Sequence, residues 1–546
     1  MSVTNASAKA GVAPGWLDRE RTVAKAGFNR WLVPPAALAI HLCIGMAYGL
    51  SVFWLPLTHL IGGAKAAACT SLSESLVATA CDWRVDDVNW MFKLSIVVLG
   101  ASAAIWGGWL ERVGPRRAGV TAALCWSGGL AVTAAGIAVH QLWLMWLGTG
   151  VIGGIGLGLG YISPVSTLIK WFPDRRGMAT GMAIMGFGGG AMIGAPLANL
   201  LMNRLHGQGA AAAVAETFLI LAAIYLVFML GGALGYRVPP AGWEPPGYVA
   251  TARRAMVTSG HVHLRDAHRT PQFWLVWIVL FCNVSAGIGV LAMSSPMLQE
   301  IFAGRLIGQP GTGFLQLDPA SRGAVAGIAA GFTGLLSLFN IGGRFFWASF
   351  SDRIGRKLTY ATFFVLGVAL YALAPWAAHT GSKAVFVTAL CLILSMYGGG
   401  FATVPAYLAD LFGTQFVGAI HGRLLTAWSA AGLVGPSIVS IMRDHRIAAG
   451  VPRDQVYDQA MYVLAGLLVI GFVANLLVRP VAARWFMSEA DLAGARAGLP
   501  KVVHGSHHGI GIGGLTAGAV LASAAVGLPL AWGVTRTVVT ALKLFS

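Results

Sequence analysis

One short charged motif occurs twice in this chain, roughly half the chain length apart. Each copy follows an apolar stretch long enough to cross a bilayer, and another such stretch comes after it. A charged, tightly turning connection between two membrane spans, present twice, predicts a membrane transporter built from two similar halves. The two copies are Gly107-x-x-x-Glu111-Arg112-x-Gly114-x-Arg116-Arg117 and Ala348-x-x-x-Asp352-Arg353-x-Gly355-Arg356-Lys357.

The composition supports membrane-spanning helices. Of the 546 residues, 56% are hydrophobic and 10% are charged, whereas soluble domains carry about 25% charged residues. A hydrocarbon core about 30 Å thick needs roughly 20 apolar residues per helix, and lipid offers no partners to unpaired backbone groups, so the spans should be helical. The apolar runs predict an all-α bundle of twelve spans, at residues 34–58, 87–110, 118–138, 142–169, 177–202, 215–236, 271–302, 323–350, 358–378, 384–411, 421–442 and 458–478.

The net charge of +17 raises the possibility of nucleic-acid binding. If the N-terminus is cytoplasmic, the loops on the cytoplasmic side hold far more lysine and arginine than the outer loops do. This bias orients membrane proteins, whereas nucleic-acid binding would need the charge on one soluble face. We therefore expect a cytoplasmic N-terminus and no nucleic-acid partner. Because the first segment is polar and charged, we expect no cleavable signal peptide.

A second repeat supports the division into halves. Gly160 and Gly400 each precede a phenylalanine by twelve residues at the end of a predicted span. Transporters of repeated architecture hold their substrate near midplane between the halves. The predicted organisation comprises a cytoplasmic N-terminal segment (1–33), a six-helix half (34–236), a cytoplasmic linker (237–270), a second six-helix half (271–478), a cytoplasmic tail (479–508) and an additional transmembrane helix (509–534).

The cysteines and histidines indicate no metal site or cofactor. Cys69 and Cys81 share the first predicted outer loop, where a disulfide is chemically allowed, and the sequence leaves the bridged and the free state open. The remaining cysteines fall inside spans and are expected to be packing residues. The tail contains a cluster of histidines, as the composition of a flexible tail often does; they are His504, His507 and His508.

The duplicated motif resembles the loops between spans two and three and between spans eight and nine of the major facilitator superfamily. Glu111 stands where that family usually has aspartate. Ala348 stands where the second motif copy of that family has glycine. Other strings resemble the oxalate/formate antiporter family within it. They are Lys170-Trp-Phe-Pro-Asp-Arg-Arg-Gly177-Met-Ala-Thr-Gly181, Pro239-Pro240 with Gly242-Trp243, Pro271-Gln-Phe-Trp274 and His421-Gly-Arg-Leu-Leu-Thr-Ala-Trp428.

That resemblance implies exchange of organic anions by alternating access across a bacterial inner membrane. In the family, the anion lies between an arginine of span eight and a lysine of span eleven, with aromatic side chains around it. Arg344 matches the arginine, but Trp428 stands at the lysine position. The matching aromatic positions are Tyr48, Tyr161, Tyr397 and Phe401.

Arg344 is also the most informative residue without the resemblance. A charge inside a span costs at least about 2.5–3.5 kcal/mol unless it is paired or hydrated, and a guanidinium suits a carboxylate geometrically. Each acidic residue can be placed in a loop or near a span end, so an incoming anion is the expected counter-ion. A structural arginine bonded to helix carbonyls is the alternative.

One fixed cation balances one carboxylate, which favours a small monocarboxylate such as formate or pyruvate. Oxalate remains an alternative substrate if Lys93 contributes a second positive charge. A lysine near a span end, however, usually extends outward to the interface. His41 is the interior candidate for proton coupling, but packing is its ordinary role, so anion exchange is favoured over proton symport. A transport-like receptor is a further alternative. An enzyme is not expected, because no catalytic group converges inside the spans. We expect the monomer to function.

Overall fold

The computed structural model describes residues 15–496, except 26, 59, 62–68, 206–209, 241–242 and 246–255, together with 524, 527–529, 531–535, 537 and 539. Regular structure in these ranges is helical, and strand-like pairing is limited to isolated bridges. Eleven helices of the described part are long and apolar enough to cross a membrane. A further helix of 36 residues completes the expected twelve.

The twelve long helices follow the predicted spans closely, which confirms the all-α bundle of two six-helix halves. They are α1 (Arg30–Phe53), α2 (Val85–Val113), α3 (Pro115–Ala138), α4 (Leu142–Trp171), α5 (Arg176–Leu205), α6 (Ala210–Gly235), α7 (Pro271–Phe302), α8 (Pro319–Ile354), α9 (Arg356–His379), α10 (Lys383–Phe412), α11 (Val417–Ala448) and α12 (Asp458–Leu477).

Helix α11 begins one turn before the predicted span eleven, which starts at residue 421. In the structure α11 begins at Val417, and the His421 side chain is fully buried. Protein rather than lipid surrounds this turn, so a polar residue there does not mark the membrane boundary.

The two ends of the bundle differ in their connections. We call the end that carries the two charged loops, around Gly114 and Gly355, the motif end. Both glycines have positive φ angles, +87° and +89°, which other residues rarely adopt. The opposite end, the disulfide end, carries the connection between α1 and α2. There Cys69 and Cys81 form a disulfide, which resolves the alternative that the sequence left open.

Close helix contacts through glycine bring the central helices together. A Cβ atom at Gly343 of α8 would overlap the carbonyl oxygen of Ser395 on α10. A Cβ atom at Gly398 of α10 would likewise overlap the carbonyl oxygen of Asn340 on α8. Small residues allow such approach within a membrane. The consequence is that Arg344, one residue after Gly343, lies directly against α10.

The described residues of the C-terminal segment between 524 and 539 are helical, but most of the predicted range 509–534 lies outside the described residues, as do the three tail histidines. Gly533 lies against Met192 and Ile193 of α5. Thr537 lies against Gly334 of α8. The C-terminal helix therefore contacts one helix from each half.

Candidate substrate site

Arg344 is buried at the centre of the bundle, with 1% of its surface exposed. Its Nε donates to Asn340 Oδ1 (3.0 Å), one turn earlier on α8. Its Nη1 donates to the carbonyl oxygen of Ile184 on α5 (3.1 Å), which belongs to the other half. Within the described residues Nη2 has no hydrogen-bond partner. The guanidinium is thus held by two neutral oxygens and keeps one nitrogen available.

Aromatic rings enclose this guanidinium. The Arg344 Cζ lies 5.5 Å from the ring centre of Phe401 and 5.9 Å from that of Phe187, within the range of cation–π attraction. The Tyr48 and Tyr397 hydroxyls lie 3.3 Å apart, one from each half. The structure therefore brings together all six residues that the sequence singled out. We call them, with Phe187, the aromatic cage: Tyr48, Tyr161, Phe187, Tyr397, Phe401 and Trp428 around Arg344.

Trp428 connects the members of the cage. Its ring centre lies 4.7 Å from Phe401, 5.2 Å from Tyr161 and 5.3 Å from Phe187. The ring centre of Tyr48 is 6.3 Å away. Trp428 is completely buried, so its side chain occupies the middle of the cage.

Three buried hydrogen-bond donors of the cage have no partner within the described part of the chain. They are Arg344 Nη2, Trp428 Nε1 and the Tyr161 hydroxyl. A buried donor without a partner costs about 1–3 kcal/mol, and such groups are uncommon in native proteins. Two of these donors belong to rings of the cage and the third to Arg344 itself, a donor set that suits an oxygen-rich anion.

The acidic residues nearest to lipid bond elsewhere, and none of the carboxylates in the described ranges hydrogen-bonds to Arg344. Glu111 binds Lys170 of α4 at 2.7 Å. Glu300 accepts from Arg443 and Arg453 near the disulfide end. The fixed positive charge of the cage is therefore balanced by no acidic side chain that the structure describes.

The two other basic residues considered from the sequence have partners of their own. Lys93 Nζ lies 5.1 Å from the ring centre of Trp90, which is 44% exposed, so this lysine faces the surface. His41 is buried and bonds to backbone oxygens, with Nδ1 2.5 Å from Ala183 O and Nε2 3.3 Å from Tyr161 O. These contacts give His41 a bracing role between three helices of the first half.

The first motif copy makes contacts mainly inside its own half. Ser166 and Lys170 of α4 donate to Glu111. Arg116 Nη1 donates to Trp16 O and Nη2 to Tyr236 O, while Arg117 pairs with Asp18. Arg112 is exposed. Gly107 and Glu111 are residues of this copy that also meet the other half: a Cβ atom at Gly107 would lie 2.8 Å from Ala419 Cα on α11, and Glu111 lies beside Gly418 of the same helix.

The second motif copy joins the two halves. Both oxygens of Asp352 accept backbone N–H groups from the first turn of α5, at Gly177 (2.8 Å) and Met178 (2.9 Å). A carboxylate at a helix N-terminus also interacts favourably with the helix dipole. Arg356 Nη2 binds Asp352 at 2.6 Å. Arg353 is exposed, and Gly355 provides the turn described above.

Asp410 of α10 extends this connection. Its Oδ2 accepts from Arg356 Nε (3.1 Å), and its Oδ1 accepts from Arg176 Nη1 (2.9 Å) at the start of α5. The result is a chain of charges, Asp352–Arg356–Asp410–Arg176, that ends on the opposite half. We call it the charge bridge.

Several of these residues were not identified from the sequence as site residues. Phe187 lies between Gly186 and Gly188 in a glycine-rich stretch, where nothing local indicates a ligand contact. Asn340 lies four residues before Arg344, a spacing that places it on the same helix face and could have indicated the contact. Arg176 and Asp410 are far apart in sequence, so no local pattern predicts their pairing.

Comparisons with known proteins agree with this architecture. A family model described as Major Facilitator Superfamily matches residues 37–436. The chain is 26% identical over 413 residues to the oxalate:formate antiporter of Oxalobacter formigenes, covering 74% of this chain and 83% of the relative. It is 25% identical over 460 residues to the apicoplast pyruvate carrier 1 of Toxoplasma gondii, covering 72% and 80%.

Solved structures show the same fold at low sequence identity. The superfamily transporter FucP in its outward conformation aligns with a TM-score of 0.54 and 15% identity, covering 83% of this chain and 100% of that one. The proton:xylose symporter XylE aligns with a TM-score of 0.55 and 13% identity, covering 82% and 96%.

Proposed function

Because the chain belongs to the major facilitator superfamily and is a membrane transporter of the oxalate/formate antiporter type, not an enzyme, we propose that it carries small monocarboxylates such as formate or pyruvate. The observation that carries this proposal is the single buried cation of the aromatic cage. Arg344 Nη2 has no hydrogen-bond partner in the described residues and no carboxylate beside it there.

The donor set fits one carboxylate. Arginine binds carboxylates through charge-assisted hydrogen bonds that are about twice as strong as neutral ones. In our proposal one carboxylate oxygen accepts from Arg344 Nη2. The Trp428 Nε1–H and the Tyr161 hydroxyl are the further donors that lack partners within the described ranges. The apolar ring surfaces then enclose a small organic group.

Charge balance favours the monocarboxylate over the dicarboxylate. One guanidinium neutralises one carboxylate, whereas a second carboxylate would remain uncompensated in a poorly solvating site. Trp428 supplies a neutral donor at the position where the related family has a second cation. The names of the relatives, an oxalate:formate antiporter, a pyruvate carrier and monocarboxylate transporters, all refer to small carboxylates.

Alternating access is proposed from the contacts between the halves. The charge bridge and the Asp352 contact with α5 join the halves at the motif end. With the N-terminus in the cytoplasm, this state would be closed toward the cytoplasm of an inner-membrane carrier. The cage is formed within one chain, so we propose that the monomer transports. Anion exchange is the proposed mode; proton symport and a receptor role are the alternatives.

The test compares binding of formate and pyruvate to the purified protein and to Arg344→Gln, by calorimetry or thermal shift. Removing one partner of a buried charge pair costs about 2–5 kcal/mol, so affinity should fall at least about 30-fold. Arg204→Gln, at an exposed arginine at the end of α5, serves as the matched control and should bind like wild type. Equal binding by Arg344→Gln would refute the proposal.

Transport mode is tested in proteoliposomes. Labelled formate should enter vesicles loaded with unlabelled formate or pyruvate and should not accumulate from a pH gradient alone. Accumulation driven by the pH gradient would favour a symporter, and binding without counterflow would favour a receptor.

A further inference from the structure

His421 is a buried titratable residue that the proposed function does not use. It lies on α11 with none of its surface exposed. Both ring nitrogens, Nδ1 and Nε2, lack hydrogen-bond partners among the residues that the structure describes. His41, equally buried, has a backbone oxygen near each ring nitrogen. Leaving an imidazole donor and acceptor both unpaired is unfavourable. We therefore expect His421 to have a functional interaction in another state of the protein.

Tyr161 connects His421 to the cage. The ring centre of Tyr161 lies 5.9 Å from that of His421 and 5.2 Å from that of Trp428. His421 precedes Trp428 by seven residues, which is two helical turns, and therefore lies on the same face of α11, about 10 Å closer to the motif end. A positive charge at His421 would thus act on an anion in the cage from the motif end. In the proposed state this end is closed, so the anion would enter from the opposite side.

The charged groups around His421 are engaged with other partners. On α2, Glu111 reaches the turn of Gly418 but is bonded to Lys170 and Ser166. On α10, Asp410 belongs to the charge bridge. On α11 itself, Arg423 donates to Leu264 O and contacts His268 of the short helix before α7.

The remaining neighbours carry no negative charge. On α4, Tyr161 faces His421 with a hydroxyl that has no partner in the described ranges. On α1, His41 also contacts Tyr161, with 5.2 Å between ring centres. The cage cation is Arg344. A proton on His421 would therefore be opposed by Arg344 and favoured by a second negative charge on the substrate.

We infer that His421 is a proton-dependent second cation of the site, which lets the carrier bind a dicarboxylate together with one proton. This inference rests on the proposed function. A dianion at Arg344 keeps one uncompensated charge, and an imidazole ring nitrogen that takes a proton from water supplies the missing positive charge. A monocarboxylate needs no such proton. The protein thus replaces the fixed lysine of the related family by a neutral Trp428 and a titratable His421 on one helix face.

The expected effect follows from Coulomb attraction. Two charges about 10 Å apart at an effective dielectric constant of about 20 attract enough to change a binding constant roughly tenfold. By linkage, dianion binding must raise proton affinity by the same factor that the proton raises dianion affinity. Oxalate and formate are the matched probes, because they are of similar size and differ in charge.

The experiment is calorimetric titration of the purified full-length protein with oxalate and with formate at pH 6.0 and pH 7.5, in buffers of different ionisation enthalpy. We expect oxalate to bind several-fold more tightly at the lower pH, because a tenfold coupling develops only in part across 1.5 pH units, with uptake of up to one proton per oxalate. Formate affinity should be nearly independent of pH, with no proton uptake. His421→Gln should lose the pH dependence of oxalate binding and keep formate binding.

His41→Gln is the matched control, because it removes the other buried histidine beside Tyr161. It should retain the pH dependence. Oxalate affinity in wild type that is no more pH-dependent than formate affinity would overturn the inference, as would pH dependence retained by His421→Gln or lost in His41→Gln.

Two readouts keep the outcome interpretable. If His421→Gln does not fold, His421→Asn is the second variant. The number of protons that the wild-type protein takes up per oxalate also tests the inference, because this measurement requires no variant. Failure of the proposed function would appear differently, as absent formate and pyruvate binding in wild type or as unchanged binding in Arg344→Gln.

Discussion

At the residue scale, the proposed charge of the site depends on the residue at position 428. The Trp428 ring lies among Tyr161, Phe187 and Phe401, and its indole N–H has no partner within the described residues. A lysine there would place a permanent second cation beside Arg344. Under the proposed function, the preference for a monocarboxylate and the need for a proton at His421 both follow from the neutral side chain.

The corresponding test is Trp428→Lys, which should tighten oxalate binding at least tenfold relative to formate. It should also make oxalate binding independent of pH between 6.0 and 7.5, because the fixed cation replaces the protonated histidine. Trp428→Phe, which removes the N–H but adds no charge, should show no gain for oxalate. An equal gain in both variants, measured by the same calorimetry, would mean that pocket size rather than charge sets the preference.

At the element scale, the C-terminal helix is the part that the twelve-helix bundle does not require. Its described residues contact α5 near Gly533 and α8 near Thr537. It therefore lies across the seam at which helices from the two halves meet. A helix in that place stays in contact with both halves during transport or releases one of them.

Cysteines at Gly334 and Thr537 test this position. A Cβ atom at Gly334 would lie 3.9 Å from Thr537 Cβ, and disulfides need about 3.5–4.5 Å between Cβ atoms. The double variant Gly334→Cys/Thr537→Cys should form a bridge in membranes under mild oxidation, detected by mass spectrometry of the joined peptides. The single variants control for reaction with the native cysteines. Failure to join under oxidation would contradict the packing against α8.

At the scale of the whole molecule, the two motif copies have become unequal. The first copy binds within its own half through Glu111 and Lys170, whereas the second reaches across to α5 through Asp352. The charge bridge adds Arg176 and Asp410 to the same contact. Under the proposed alternating access, opening of the motif end would break these bonds, so they would set the balance between the two access states.

Asp352→Asn should shift that balance toward opening. Hydrogen bonds to a charged group contribute about 1.5–3 kcal/mol, so the opening equilibrium should increase roughly tenfold or more. Ala419→Cys reports on it, because Ala419 is buried against Gly107 and should react with a maleimide only when the motif end opens. We expect faster labelling of Ala419→Cys in the Asp352→Asn background.

Asp318→Asn is the control for this measurement. Asp318 also accepts backbone N–H groups at a helix start, from Ala320 and Ser321, but it caps its own helix at the disulfide end. Its loss should leave the labelling rate unchanged. Equal acceleration by both substitutions would indicate general destabilisation rather than release of the contact between the halves.

The sequence by itself determined the membrane class, the twelve helices and the two-half architecture, because apolar run length and a repeated motif are local properties of the chain. It also identified Arg344, since a charge within an apolar run is visible without any partner. Only the tertiary structure decided that His421 is buried without a partner in the described residues, that Phe187 and Asn340 complete the site, and that Asp352 binds α5. Those contacts join residues from different helices, and helix packing, which no local pattern encodes, brings them together.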